Sequence, residues 1–297
     1  SEENFFKDNV HFIDNLKLRG SWGQMGAEPY TNGGSLFEYQ FLSTYGFSTY
    51  IINDAITKTL YETRLPNPNF TWEVQNSINL GLDLAALNNR LTFEFDYFIN
   101  KRDKVLLTQQ GAIPASAGIS NILPPVNYGK LDNRGWEFKV GYSGEVNKFR
   151  YNIGANAGYA KNKIVLWTEA PGVPDWQKAT GSTFGSNGPA FLTYQYDGVF
   201  RDIKDIEANT IDYSGVGGST LVPGDMKLKD INGDKKITGD DMVRLDKNRD
   251  PRLTYGINMS AQYHNFDLTV LFQGASGGLL FIGTESGDIG NYLKWSF

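Results

Sequence analysis

Twelve residues, Asp230-Ile231-Asn232-Gly233-Asp234-Lys235-Lys236-Ile237-Thr238-Gly239-Asp240-Asp241, carry the strongest chemical signal in the chain. Asp230, Asn232, Asp234 and Asp241 stand at positions 1, 3, 5 and 12, and the Lys236 carbonyl falls at position 7. Hard oxygen ligands at that spacing can surround a Ca²⁺ ion. Ile237 sits at position 8, where an apolar side chain anchors such a loop. Two residues depart from the pattern. Lys235 stands where glycine makes the sharp turn, and Asp241 replaces a longer, bidentate glutamate. Forcing a lysine to positive φ costs on the order of 1 kcal/mol. The expected ion is structural rather than catalytic, and converging carboxylates, which repel one another without a cation, favour its occupancy. The competing reading is a solvated turn held by Asx hydrogen bonds, with Lys235 and Lys236 offsetting part of the repulsion.

Other chemistries find little support. His11 and His264 are far apart, no G-x-S-x-G elbow occurs, and no pair of carboxylates is marked out for glycoside hydrolysis, so no catalytic residue is assigned. The chain has no cysteine, which removes disulfides and thiolate metal sites. Its net charge of -5 argues against a nucleic-acid partner. Trp167, Trp176, Tyr194 and Tyr196 can stack on a sugar or peptide, or else serve in loop packing or an interfacial aromatic girdle.

The elements that would position these groups read as strands. In residues 71–85, Trp72, Val74, Ile78, Leu80, Leu82 and Leu84 share one face, interrupted by Asn76; Glu73, Gln75, Ser77, Asn79 and Asp83 take the other. After Leu87-Asn88-Asn89 the alternation resumes with Leu91, Phe93, Phe95, Tyr97 and Ile99. It recurs in 15–24, in 136–142, in 149–159 after a link at 144–147, and on both sides of His264-Asn265. Several runs last about 10 to 15 residues, against 5 to 6 for an ordinary soluble strand, and a tilted membrane strand needs about 9 to 11. Short links alternate with long ones, as in outer-membrane barrels. The expected fold is therefore all-β, an antiparallel up-and-down transmembrane β-barrel with long extracellular loops. The strand after Phe149 rises from a short turn and the strand after Arg252 descends to one, so an even number of strands lies between them. FLTYQYDGVF (191–200) reads as a strand that would break this parity. Residues 168–250 are accordingly expected to form a large extracellular excursion. The alternatives are a small complete barrel presenting a Ca²⁺-stabilised loop, and a soluble β-rich glycan-active enzyme.

Several segments together resemble the SusC/RagA family of TonB-dependent outer-membrane transporters from Bacteroidetes-type bacteria. They are NLKLRGSWGQMG (15–26), TWEVQNSINLGLDLAALNNRLTFEFDYFINKRDKVLL (71–107), NYGKLDNRGWEFKVGY (127–142), YQYDGVF (194–200), PGDMKLKDINGDKKITGDD (223–241) and the run 250–274. The resemblance implies an outer-membrane location and a 22-stranded barrel with an N-terminal plug, energised by TonB. It also implies a SusD-like lipoprotein closing over the outer face, with glycans or peptides as cargo. Residues 1–297 are expected to supply about seven or eight spanning strands from the C-terminal half of the barrel. The plug, the TonB-contacting region and the last strands are expected to lie outside the chain, leaving outer-membrane lipid as its direct surroundings.

Overall fold

The computed structural model describes residues 12–28, 39, 41–109, 113–186, 188–216 and 220–279. The chain begins with strand β1 (Ile13–Ala27) and a separate hairpin, β2 (Thr44–Ile52) and β3 (Ala55–Arg64). Four long strands follow: β4 (Glu73–Ala86), β5 (Leu91–Leu107), β6 (Val126–Val146) and β7 (Phe149–Leu166). Six short strands come next: β8 (Phe184–Gly185), β9 (Gly188–Pro189), β10 (Leu192–Thr193), β11 (Tyr196–Val199), β12 (Met226–Leu228) and β13 (Val243–Arg244). A one-turn helix, α1 (Ile203–Glu207), lies among them, and β14 (Leu253–Tyr263) and β15 (Phe266–Ser276) complete the described chain. Among the described residues no helix is long and apolar enough to cross a membrane, which bears only on helices.

Seven strands form one antiparallel sheet in the order β1-β4-β5-β6-β7-β14-β15. Its register follows from the alternation of side chains. Leu18, Leu82, Phe95, Phe138, Ala157 and Tyr255 are successive partners across six strands, so their apolar faces align. One residue away, Lys17, Asp83, Glu94, Lys139 and Asn156 form the matching polar row. A one-residue slip of any strand would exchange these faces, which makes every other register costly. The apolar face is uncovered: Leu18 is 78% exposed, Trp22 71% and Phe272 57%. A continuous bare apolar sheet face is foreign to a soluble monomer and is what the bilayer-facing wall of a barrel requires.

The height of the wall agrees. Aromatic residues mark both ends of the apolar run of β7, with Phe149 and Tyr151 near one turn and Tyr159 just before the run gives way to Lys161. The ten-residue step from Phe149 to Tyr159 spans roughly 33 Å along the strand. Tilted by about 40°, that becomes about 25 Å, the height of an outer-membrane apolar band. Asn76, which breaks the apolar pattern of β4, pairs with Gln24 and Lys101 above this band, and the Gln24 amide donates to Asn76 Oδ1 at 3.1 Å. Its polarity therefore marks the edge of the hydrocarbon.

Short and long connections segregate. Leu87–Arg90, Asn147-Lys148 and His264-Asn265 turn at one end; the longer connections from β1 to β4, β5 to β6 and β7 to β14 leave and rejoin the sheet at the other. The tight turns use left-handed residues: Leu87, Asn88, Asn89, Asn147 and His264 all have φ between 53° and 59°. Three sequence expectations change in detail. The link expected at 144–147 shrinks to Asn147-Lys148, because Gly144 is a strand residue; a Cβ there would sit 2.5 Å from the Tyr151 ring. The loop expected between β1 and β4 contains the β2–β3 hairpin, turned at Asn53-Asp54. FLTYQYDGVF is not one strand but two short ones, β10 and β11, pairing with β13 and β12.

β7 and β14 are direct neighbours, so 167–252 connects two adjacent strands of the sheet. This segment has a small core of its own. Phe200, Tyr213 and Ile237 are buried together, with Tyr194, Ile206 and Leu228 packed against them. It leans on the polar-face side of β7: Asn162 donates to the Phe184 carbonyl at 2.6 Å and accepts from the Phe184 N–H at 2.8 Å. Ile164, completely buried, exchanges backbone hydrogen bonds with Gly181 and Ser182.

Candidate functional site

The polar face of the sheet is organised by ion pairs. Arg19 Nη2 lies 2.8 Å from Asp83 Oδ1 and 2.9 Å from Asp96 Oδ2, and its Nε also donates to Asp83, so one guanidinium clamps β1, β4 and β5. Gly81 makes the clamp possible, since a Cβ there would meet Arg19 Cζ at 2.6 Å. Beside it lies an open hollow of about 380 Å³ lined by Glu94, Asp96, Glu137, Lys139, Asn156 and Thr254, with Lys139 3.8 Å from Glu94. Water-filled, charged surface on the face opposite to lipid is the lumen of a barrel wall.

At the end with long connections a larger open cleft, about 720 Å³, forms where Asn67, Asn69 and Gln109 meet the start of β6 and the chain just after β7. Two of its amides are structural. Asn67 donates to Pro125 O at 2.7 Å and accepts from Asn69 N, and Asn127 ties Thr71 to Lys104 through backbone contacts. Asn69, Gln109 and Tyr128, the last 50% exposed, also line the cleft, and their side chains have no hydrogen-bond partner among the described residues. Trp167 forms one wall with its ring tilted on Phe184, centroids 5.5 Å apart. The Thr168 hydroxyl is out of solvent contact, with no hydrogen-bond partner among the described residues. Glu169 is committed elsewhere, accepting from the N–H groups of Ala179 and Thr180. Aromatic walls with free amides and hydroxyls suit a polar but uncharged chain of hydroxyls or peptide groups.

The other loop aromatics are placed differently. Trp176 donates its Nε1–H to Asp240 O at 2.9 Å, tying the start of the excursion to the acidic loop. Tyr194 packs against the excursion core, and Tyr196 is exposed on β11. The sequence singles out Trp167 but not its companions: Asn69 and Gln109 sit in irregular chain and Tyr128 at the start of β6, and only the fold gathers them.

The acidic loop is well ordered by its own hydrogen bonds. Asp230 accepts from Gly233 N and Lys235 N at 2.8 Å each; Asn232 Oδ1 accepts from Asp234 N, and Asp234 Oδ1 from Lys236 N. Lys235 adopts φ 64°, the left-handed turn expected at that position. Ile237 is fully buried, and Asp212 pairs with the chain around it: Ile237 N donates to Asp212 O and Asp212 N to Lys235 O. Asp241, also fully buried, accepts from Ile231 N at 2.9 Å and Thr238 N at 2.8 Å, and caps the turn 239–241. Burial alone would raise its carboxyl, but the N–H groups of Thr238, Ile231 and Asn232 together outweigh that and hold it below the usual carboxylate range. Asp205, bonded to Lys227, and Asp212, bonded to Ser214, are lowered as well. Among the described residues no three carboxylate or histidine side chains gather as metal ligands. Asp230 and Asp241 adjoin, while Asp234 is drawn off to Lys236 N and the Asn232 amide. The ligand types fit Ca²⁺; their present arrangement is that of an Asx-rich turn.

Residues 9–292 match the family described as TonB dependent receptor-like, beta-barrel. The chain belongs to this family. As a TonB-dependent receptor barrel it resides in the outer membrane, which accounts for the bare apolar face and the segregated loops. TonB-dependent receptor P3 of Formosa agariphila is 29% identical over 294 residues, covering 94% of this chain and 27% of that protein. TonB-dependent receptor SusC of Bacteroides thetaiotaomicron is 29% identical over 291 residues, covering 90% and 25%. The RagAB peptide importer in its open-open state shares the fold, with a TM-score of 0.65 at 18% identity over 93% of this chain and 27% of that one. The chain thus spans about a quarter of the length of these TonB-dependent receptors. The family is one of receptors and transporters, not of enzymes.

Proposed function

We propose that this chain supplies wall, rim and cap to a TonB-dependent importer of nutrients, with oligosaccharides or peptides as cargo. The carrying observation is the cleft at the long-loop end, where Trp167, Tyr128, Asn69 and Gln109 offer a stacking surface and uncommitted hydrogen-bonding groups. Likeness to SusC and to a structure described as a peptide importer supports this choice of cargo. The end bearing long loops is the extracellular one, as short turns face the periplasm in such barrels. A SusD-like lipoprotein would close over that end. TonB would act through parts of the receptor beyond these residues.

The direct test is calorimetric titration of the whole receptor with oligosaccharide and peptide mixtures. Removing an aromatic platform forfeits about 0.5–1.5 kcal/mol beyond its buried area, so Trp167→Ala is expected to weaken binding of the true cargo about tenfold or more. Gln109→Ala, which removes one amide, is expected to weaken it less. Unaltered affinity in both variants would remove the cleft from the cargo path.

The acidic loop belongs to the same proposal as a brace for the cap. We propose that it takes one structural Ca²⁺ through Asp230, Asn232, Asp234, the Lys236 carbonyl and Asp241. Ligand spacing and the left-handed Lys235 support this. Binding would draw Asp234 away from Lys236 N. Calcium titration should release heat with the native receptor and none with Asp230→Ala; equal heats would dismiss the ion and leave the loop braced by its own N–H groups.

A further inference from the structure

On the lipid-facing side, the sheet changes character within one residue pair. Tyr97, Trp136 and Tyr159 are successive partners across β5, β6 and β7, and the Trp136 and Tyr159 rings stack with centroids 6.1 Å apart. The next row toward the long loops is Ile99, Arg134 and Lys161, and the one beyond it is Lys101, Asp132 and Lys163. Lys101, Arg134, Lys161 and Lys163 therefore leave the same face as the apolar band, directly above its aromatic rim, and all four are exposed. This is the depth at which headgroups replace hydrocarbon.

The cations are poorly compensated. Arg134 stands directly opposite Lys161, and like charges directly opposite destabilise a strand pair. Lys161 reaches Asp246 at 3.4 Å, but Arg252 shares that carboxylate, also at 3.4 Å. Asp103 is taken by Lys130 at 3.5 Å. Asp132, between Lys101 and Lys163, is the remaining carboxylate of the two rows. Among the described residues the side chains of Lys101, Arg134 and Lys163 make no ion pair or hydrogen bond. Three strands and two rows make a patch roughly 10 Å wide and 7 Å tall, the size of one phosphorylated headgroup.

We propose that these four residues bind the phosphate-bearing headgroup of a lipid in the outer leaflet. Long basic side chains lay their methylenes along apolar surface while their tips reach the headgroup layer, and a guanidinium can grip a phosphate through two N–H donors. The patch faces away from the lumen and its Arg19 clamp, so a soluble cargo anion on the import path does not meet it. A lipid headgroup does, with its chains beside Tyr97, Trp136 and Tyr159.

The test uses the whole receptor in detergent, with native mass spectrometry counting bound lipid. The probes are a diphosphorylated glucosamine lipid, its dephosphorylated form and inorganic phosphate. The native protein is expected to retain the phosphorylated lipid and not the dephosphorylated one. Each cation is worth about fivefold near an anionic lipid surface. The combined variant Lys101→Gln, Arg134→Gln, Lys161→Gln, Lys163→Gln is therefore expected to lose retention by a hundredfold or more, and Arg134→Gln alone by about fivefold. Lys139→Gln, on the lumen face, is expected to retain the lipid as the native protein does. If the combined variant fails to show heat-modifiable migration, the mark of a folded barrel, the single variant carries the test. Equal retention of both lipids, native retention in the Arg134→Gln variant, or displacement by equimolar inorganic phosphate would each overturn the proposal.

Discussion

Ile257→Arg is expected to cost the receptor barrel about 2–4 kcal/mol, the penalty for a cation at the bilayer midplane of an outer-membrane barrel. Ile257 lies halfway along β14, between Ala155 and Phe272, on the face that carries Tyr255, Met259 and Tyr263. An arginine there has hydrocarbon on every side and too little reach to snorkel to either headgroup layer. Asn156→Arg places the same charge at nearly the same depth on the opposite face, in the hollow beside Glu94 and Glu137, where water and carboxylates meet it. It is expected to cost less than about 1 kcal/mol. Urea unfolding of both variants in lipid vesicles measures the difference. Equal costs would mean that the apolar face is not the lipid face, and the orientation of every strand would be wrong.

Asp241→Asn is expected to loosen the excursion 167–252 while leaving the seven-stranded sheet intact. Asp241 is wholly buried and its two oxygens accept from Ile231 N, Asn232 N and Thr238 N. Asparagine keeps one acceptor but turns an NH₂ toward a backbone donor, and a buried N–H left unpaired costs about 1–3 kcal/mol. The pH dependence has a definite sign. Asp241, Asp205 and Asp212 are all held below the ordinary carboxyl range in the folded excursion. A depressed carboxyl contributes fully above the unfolded value of about 3.9, and its contribution fades as pH falls through the lower folded value. Cleavage of the excursion by an acid-tolerant protease is therefore expected to accelerate below about pH 4. In Asp241→Asn it should start faster at neutral pH and rise less steeply with acid. Superimposable pH profiles for the two proteins would show that Asp241 does not hold this segment.

The wall was readable from the sequence because a strand in lipid has only one way to hide its polar side chains. The rows through Leu18, Leu82, Phe95 and Phe138 are visible as alternation in the sequence alone. Asn76 looked like a fault in that alternation; its pairing with Gln24 and Lys101 shows it to be the top of the hydrocarbon. The rim was less legible. β2 and β3 carry Thr, Tyr and Lys in a pattern too mixed to separate a ribbon from a loop, and β10 and β11 form one apolar run that bends between two partners. The cleft leaves almost no trace in the sequence, since Asn69 and Gln109 in irregular chain meet Tyr128 at the start of β6 only in the fold. In the acidic loop the spacing suggests Ca²⁺ ligands and a left-handed Lys235, and Lys235 does adopt φ 64°. It did not show that Asp234 would be drawn to Lys236 N while Asp241 turned inward.

The excursion leaves the sheet at Leu166 and returns at Leu253, on strands that are already bonded to each other, with Ala160 N donating to Arg252 O just below. Its ends are held together by the wall, and its interior is filled by its own Phe200, Tyr213 and Ile237. Such an arrangement behaves like a fixture screwed to a frame. Its length and surface can be exchanged, shortened or regrown with little effect on strand register or fit to the bilayer. A receptor built this way can change what it recognises at the cell surface without relearning how to fold in the membrane.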